Sequence, residues 1–400
     1  MLRHQVTIDG DVCDIFTYQG TKDLSEVTNW LDRYGARALA SDTEATGLDP
    51  YEKDWELRLF QFGDRQTAFN IPAREMGLIE WICSKPRPWI MHNAPHDCLA
   101  VDTHLKKSMG MLENTVDTSL LSRRVDSRSR FDGGVGHRLK EDLAVHYVDE
   151  TAADGERALK AAFKEISLPT GQFYTTGAKK GQPKMKKIKL QEGWRYIDLF
   201  DDRYLTYSGT DPLLTYRVWQ VLRSHPHVLE PIEVDGVWMS ATEYEHALQL
   251  FMDGRSRKGM MIDADYTQKL SDSYTREIEL GMVELQAMGL TNPNAPKQVV
   301  AALRAAGAHL TKKTKTGGLS ADKDVLRDLT NAGGPAGELA SKIRTVKQMS
   351  KRKKSYADAM LRIRDSDDRI HASINTHAAR TSRMSVSKPP FQQLPSTKAD

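Results

Sequence analysis

Apolar and polar positions alternate over short stretches in the first 225 residues and then settle into a helical period. Ala38–Ser41, Leu57–Phe62, Thr67–Ile71 and Pro88–Met91 read as β-strands, interleaved with helical runs at Leu24–Tyr34 and Met76–Ser84. That interleaving predicts an α/β domain on a mixed sheet. Between Thr151 and Trp194 the pattern weakens, and after about residue 235 no strand signal is read. Tyr244–Met252, Tyr266–Met288 and Lys297–Ala306 place apolar residues every three or four positions, which predicts a helical second domain. No internal repeat of fixed period is visible.

Composition narrows the class. With 400 residues, 39% hydrophobic and 28% charged, the chain is long enough for two domains and is not collagen-like, low-complexity or globally disordered. It has no apolar run long enough to span a bilayer, and Met1–His4 leads into no signal-peptide core. Cys13, Cys83 and Cys98 form no Cys-x-x-Cys pair, so neither a disulfide framework nor a thiolate zinc site is written here. A cytoplasmic protein with no membrane partner is expected. The net charge of +3 hides uneven placement. Lys179–Lys189 carries six lysines in eleven residues, Lys312–Asp322 forms a second basic loop, and Lys342–Lys354 holds seven basic residues and no acidic one. The first of these reads as a basic loop, either a solvated surface or a contact to phosphates; by charge alone the helix reads equally as a nucleic-acid contact or a solvated face.

The chemistry is carried by carboxylates. Asp42-Thr43-Glu44 closes an apolar strand and runs into a turn at Gly47; Asn93 and Asp97 straddle a strand-to-helix junction; Tyr207 and Asp211 are four apart on a helix. Asp-x-Glu recurs at Asp54/Glu56 and Asp154/Glu156, but only the first copy follows an apolar strand, where residues two apart share a side. Asn-x-x-x-Asp and Tyr-x-x-x-Asp each occur once, and i, i+4 residues are neighbours on one helix face. Four carboxylates at one spot repel one another unless a cation neutralises them. All-oxygen ligands select hard ions such as Mg²⁺ or Mn²⁺, and two such ions suit in-line displacement at phosphorus. The matching reaction is phosphodiester hydrolysis, with the tyrosine hydroxyl positioning water rather than deprotonating it.

At these residues the sequence resembles the DEDD superfamily of 3′-5′ exonucleases, tyrosine subgroup: Asp42 and Glu44 match the first motif, Asp97 the second, and Tyr207 with Asp211 the third. The histidine subgroup would have His where Thr206 stands. The likeness implies an RNase H-like sheet, two metal ions held by the four carboxylates, Leu48 packed on the terminal base and Asn93 beside the DNA strand. The residues alone leave Leu48 equally readable as a turn residue tucked on the core.

The second half resembles a family A DNA polymerase of phage type. Gly259–Asp263, Asn292–Val299, Lys312–Asp322 and the helix into Lys354-Ser355-Tyr356 are similar to its thumb; Arg369–Asn375, Thr381–Ser385 and Gln392–Pro395 are similar to the start of its palm. The likeness places Asn375, Arg383 and Gln392 along primer-template duplex and Lys354, Ser355 and Tyr356 near the primer backbone. Ser382 stands where the family usually has Gly, leaving the backbone less free to approach DNA. The expected organisation is an exonuclease domain over residues 1–225, a helical thumb-like region over 226–368 and a palm segment over 369–400. No 5′-nuclease domain is expected before Asp42. The palm is expected to break off before its catalytic aspartates, with the rest supplied by a longer chain or a second polypeptide, and the residues after Arg369 are expected to lack sheet partners. The function implied is proofreading during DNA replication on single-stranded 3′ ends. The alternative is a non-catalytic DNA-binding accessory or split-polymerase subunit, and a third reading is an RNA-trimming exonuclease.

Overall fold

The computed structural model describes residues 1–314, 316–381 and 383–394. It divides into two compact units, Met1–Arg255 with Asn375–Ser385, and Ser256–Ile374 with the residues from Val386 onward. Ser382, Lys315 of the second basic loop and Pro395 lie outside the described residues.

The first unit is built on a mixed sheet of seven strands among the described residues: β1 (Leu2–Ile8), β2 (Asp11–Thr17), β3 (Leu39–Ala45), β4 (Leu57–Gly63), β5 (Thr67–Pro72), β6 (Trp89–Met91) and β7 (Thr115–Asp117). Their spatial order is β1-β2-β5-β4-β3-β6-β7. β3 is central, antiparallel to β4 and parallel to β6. Alternate residues of β4 serve opposite faces, as strand geometry requires. Phe60 and Phe62 pack with α1 (Leu24–Tyr34), α2 (Met76–Cys83) and α3 (Ala94–Leu105), whereas Leu59 joins Tyr204 and Leu205 on the other face.

That other face is covered by α4 (Thr118–Val125), the short α5 (Val145–Tyr147), α6 (Asp154–Glu165), the short α7 (Gly193–Tyr196) and the long α8 (Asp202–Leu222). Leu213, Leu214 and Val218 of α8 are fully buried with Ile15 and Ala68. A side chain at Gly209 would overlap Ile15, so glycine is what lets α8 lie close on the sheet at the turn that carries its functional residues.

The opening hairpin β1–β2 escapes the hydrophobic pattern because its outward positions are polar. Its turn does not: Asp9 and Gly10 both have positive φ (50° and 77°), the two-residue Asp-Gly connection that matches strand twist. Strands also persist past residue 235, where no strand signal is read. β10 (Pro231–Val234) and β11 (Val237–Ser240) pair around a second Asp-Gly turn at Asp235–Gly236. Between Thr151 and Trp194 the chain is regular too. After α6, β8 (Ser167–Phe173) pairs with β9 (Pro183–Lys187), so the basic segment Lys179–Lys189 is the tip and return strand of a hairpin rather than a plain loop. Following α9 (Pro226–Leu229), α10 (Ala241–Lys258) completes the first unit up to Arg255.

The second unit is mainly helical. α11 (Ala264–Ala287), α12 (Pro296–Ala305), α13 (Lys323–Ala332) and α14 (Gly334–Arg352) enclose Leu285, Leu303, Leu326, Leu339, Ile343 and Val346. The basic helix therefore keeps a buried apolar stripe, with Lys342, Arg344 and Lys351 outward. The residues after Arg369 do find partners. Met260–Met261 (β12) pairs with Arg369–Ile370 (β13), and Ile370 and Ala372 are buried. The expectation of unpartnered chain fails there because the helical unit itself supplies the partner strand.

Candidate active site

Asp42 and Glu44 stand two apart on central β3 and project to the same side; Asp211 reaches them from α8. One carboxylate oxygen from each lies within 4.8 Å of the other two. Asp97, in the first turn of α3, accepts a hydrogen bond from the Thr43 hydroxyl at 2.6 Å and lines the same cleft of about 610 Å³, with Leu48, Asn93, Lys140, Glu156, Trp194 and Tyr207 also on its walls. The four carboxylates that the sequence singles out therefore line one cleft, and three are close enough to share an ion. The donor set is oxygen only, and it fits a hard divalent cation such as Mg²⁺ or Mn²⁺ rather than a thiophilic one.

Electrostatics agree with that fit. Desolvation pushes Asp42 and Glu44 well above the usual carboxylate range, aided by the neighbouring charges. Desolvation likewise carries Asp97 up to about 7 and raises Asp211. Tyr207 is driven well above an ordinary phenol by desolvation and then by Asp211, so its hydroxyl keeps its proton and cannot act as a base.

Two residues that the sequence reading missed shape the site. Lys140 is buried on the π-turn Leu139–Ala144, its Nζ 2.6 Å from Asp211 Oδ1 and 2.9 Å from the Tyr207 ring centroid. It sets one positive charge among the carboxylates. Asp117, at the end of β7, accepts from the Asn93 and Ala94 N–H groups at 2.9 Å and from the Ser119 N–H and Gln249 Nε2 at 2.8 Å. This holds Asn93 in the left-handed region (φ 66°), and α3 starts there with Asp97 turned into the cleft. Neither has a pattern to find: Lys140 sits in a polar stretch, and Asp117 ends a strand of only three residues.

Two segments of the chain match known families. Residues 264–400 match the model of DNA polymerase family A, and residues 18–168 match that of a 3'-5' exonuclease. The DNA polymerase of Mycobacterium phage D29 is 30% identical over 404 residues, covering 99% of this chain and 61% of the relative; that of Mycobacterium phage L5 is 30% identical over 403 residues, covering 99% and 62%. The chain thus carries one segment similar to a 3′-5′ exonuclease and another similar to family A DNA polymerases. The chain spans about three-fifths of the length of those phage polymerases. DNA polymerase I of Chloroflexus aurantiacus is 30% identical over 394 residues, 94% of this chain and 37% of that one. The fold resembles that of the polymerase domain of Pol1 from M. smegmatis, solved with primer-template DNA and dNTP, with a TM-score of 0.58 at 17% identity over 96% of this chain and 56% of that one.

The exonuclease match contains Asp42, Glu44 and Asp97 but stops before Tyr207 and Asp211, which join the site through the geometry of α8. The other residues singled out by the sequence are spread out. Leu48 is 80% exposed on the cleft rim, not tucked on the core, and Asn93 is exposed beside it. Lys354 is exposed, Ser355 half-buried and Tyr356 buried, with its hydroxyl donating to the Gln393 carbonyl at 2.6 Å. Asn375 and Arg383 are exposed in the first unit, and Gln392 is exposed in the second, where its Oε1 accepts from the Val386 N–H. Among the described residues no helix is long and apolar enough to cross a membrane.

Proposed function

We propose that this chain is the proofreading portion of a family A DNA polymerase, a metal-dependent 3′-5′ exonuclease that releases nucleoside monophosphates from DNA 3′ ends. The observation that carries the reading is the meeting of Asp42, Glu44 and Asp211 within 4.8 Å, with Asp97 in the same cleft. These four would hold two divalent ions, Mg²⁺ or Mn²⁺. Bound there, such ions supply Lewis acidity toward the phosphodiester and a lowered pKa for the attacking water.

The protein's own groups account for the rest. Tyr207, protonated and held between Lys140 and Trp194, offers a fixed hydroxyl that orients the water attacking phosphorus as the P–O3′ bond to the penultimate nucleotide breaks, so that the phosphate leaves with the terminal nucleotide and a 3′-hydroxyl stays on the strand. Leu48 on the rim offers an apolar surface to the terminal base, and Asn93 stands beside the strand. Residues 1–225 constitute the exonuclease region in this reading. Residues 226–368 form a thumb-like region and 369–400 the start of a palm. Lys354, Ser355, Asn375, Arg383 and Gln392 are each assigned to primer-template DNA, the ligand of the Pol1 structure, whereas Tyr356 is buried on the Gln393 carbonyl and acts by supporting its neighbours. The remaining palm and fingers would lie in the same polypeptide or in a second one.

The test is digestion of a 3′ single-stranded tail with Mg²⁺ and with chelator. Asp42→Ala combined with Glu44→Ala lowers digestion by more than about 100-fold, since it removes several kcal/mol of charge stabilisation, while duplex binding persists. Undiminished digestion by the double variant rejects the site; digestion of RNA in preference to DNA rejects the proofreading role.

A further inference from the structure

The β8–β9 hairpin stands outside the catalytic constellation. Residues 166–191 contain six lysines and no acidic residue, and among the described residues none of these lysines has an ion-pair partner. Lys179, Lys180, Lys186, Lys187 and Lys189 are exposed; Lys187 Nζ is engaged only by the Lys164 carbonyl, at 2.8 Å. Like charges packed on a two-stranded ribbon repel one another, and such a ribbon is marginal by itself. The arrangement calls for a polyanion.

Its apolar surface says which kind. Phe173, at the far end of the ladder, is 59% exposed and Met185, opposite Pro169 nearer the feet, 53%, and Tyr174 lies between Lys179 and Lys184, with both ammonium groups within 6 Å of its ring. Lysines interleaved with open aromatic faces bind phosphates and stack bases together, which single strands offer and a duplex does not. The feet of the hairpin fix its position. Ile166 packs in the cluster of Phe163 and Tyr204, Gln191 and Trp194 just after the hairpin line the carboxylate cleft, and seven-residue β8 extends roughly 23 Å from that base.

We propose that the hairpin Ser167–Lys187 is a binding arm for single-stranded DNA, gripping the strand upstream of the 3′ end that enters the cleft. The inference rests on the exonuclease reading for its direction, and on charge and exposed aromatics for its ligand. Binding is measured in chelator, so that hydrolysis plays no part, with a fluorescent oligothymidylate and a blunt duplex of equal length. K179Q/K180Q/K186Q/K189Q, all at exposed positions, weakens oligothymidylate binding about tenfold or more at low salt. It also flattens the log–log salt dependence by about 2 to 3, at roughly 0.7 per lost phosphate contact. Phe173→Ser weakens binding without changing that slope. Duplex affinity stays the same in every variant. Unchanged oligothymidylate binding overturns the proposal, and so does an equal loss on duplex, which would make the arm a general cation patch. Either result leaves the cleft assignment standing, because the Asp42→Ala, Glu44→Ala digestion assay reads that separately.

Discussion

Lys140 supplies a positive charge where desolvation already presses three carboxylates toward protonation. Breaking a buried ion pair by removing one partner is costly, typically about 3 kcal/mol or more. Lys140→Met should therefore lower stability by about that much in chelator, and Mn²⁺ should restore more stability to the variant than it adds to the parent protein. Urea unfolding with and without the ion checks this; an equal deficit in both conditions would show that the ammonium does not compensate the cluster. His137 gives a pH-dependent counterpart away from the carboxylates. Desolvation, reinforced by Arg123, holds it down to about 4, against the weaker pull of Asp126 and Asp142. The fold keeps it neutral while the unfolded chain takes up a proton near pH 6.5. Its contribution is thus complete above about pH 6.5 and is lost as the pH falls toward about 4. Relative to His137→Asn, the parent protein's urea midpoint should fall across that window; parallel curves would reject the assignment. Asp42, Glu44, Asp97 and Asp211 were legible because each sits at a strand end, a helix start or an i, i+4 pair. Lys140 and Asp117 were not, because their roles exist only once distant segments meet.

Elements set how well those residues are held. α8 brings Tyr207 and Asp211 to β3 only because Gly209 lets the helix settle on Ile15. Gly209→Ala gains helix propensity but forces a methyl into packed side chains, and overpacking costs about 1–3 kcal/mol. A net loss of stability is expected, with slower digestion as Asp211 shifts; chemical denaturation and the tail assay read the two effects. A variant as stable as the parent would mean the contact yields freely. The central strands and the main helices follow from apolar periodicity. Both Asp-Gly hairpins were missed although their turns announce them: polar residues break the apolar run of β1, and β10 and β11 are four residues each, with Val237 and Trp238 open to solvent rather than alternating into a core. The same holds for the β8–β9 ribbon, whose lysines hide the alternation that periodicity needs.

At the scale of the whole molecule, the division into two compact units means that a ligand of one should leave the other's intrinsic stability alone. The carboxylate cleft belongs to the first unit. An ion that binds only the folded form stabilises it by about 2.7 kcal/mol at a hundred times its dissociation constant. Calorimetry should therefore resolve two transitions, of which Mg²⁺ or Mn²⁺ raises one and chelator lowers that same one. Movement of both transitions together would show that the units unfold as one. Fold class was readable at this scale from the change of period along the chain. The second unit's strand pairing was not, because β12 and β13 are two residues each and lie more than a hundred positions apart in sequence.

The feet of the hairpin meet: the Ile188 N–H donates to the Ile166 carbonyl at 3.4 Å, and Arg58 on β4 ties down the carbonyls of Trp194 and Ile197 at 2.5 and 2.6 Å. Everything between those feet is a side branch of the chain. Doubling the length of such a branch adds only about 0.6 kcal/mol of closure entropy, so it can be trimmed, extended or recharged while the hydrolytic machinery stays seated, and substrate grip and bond cleavage are open to separate adjustment.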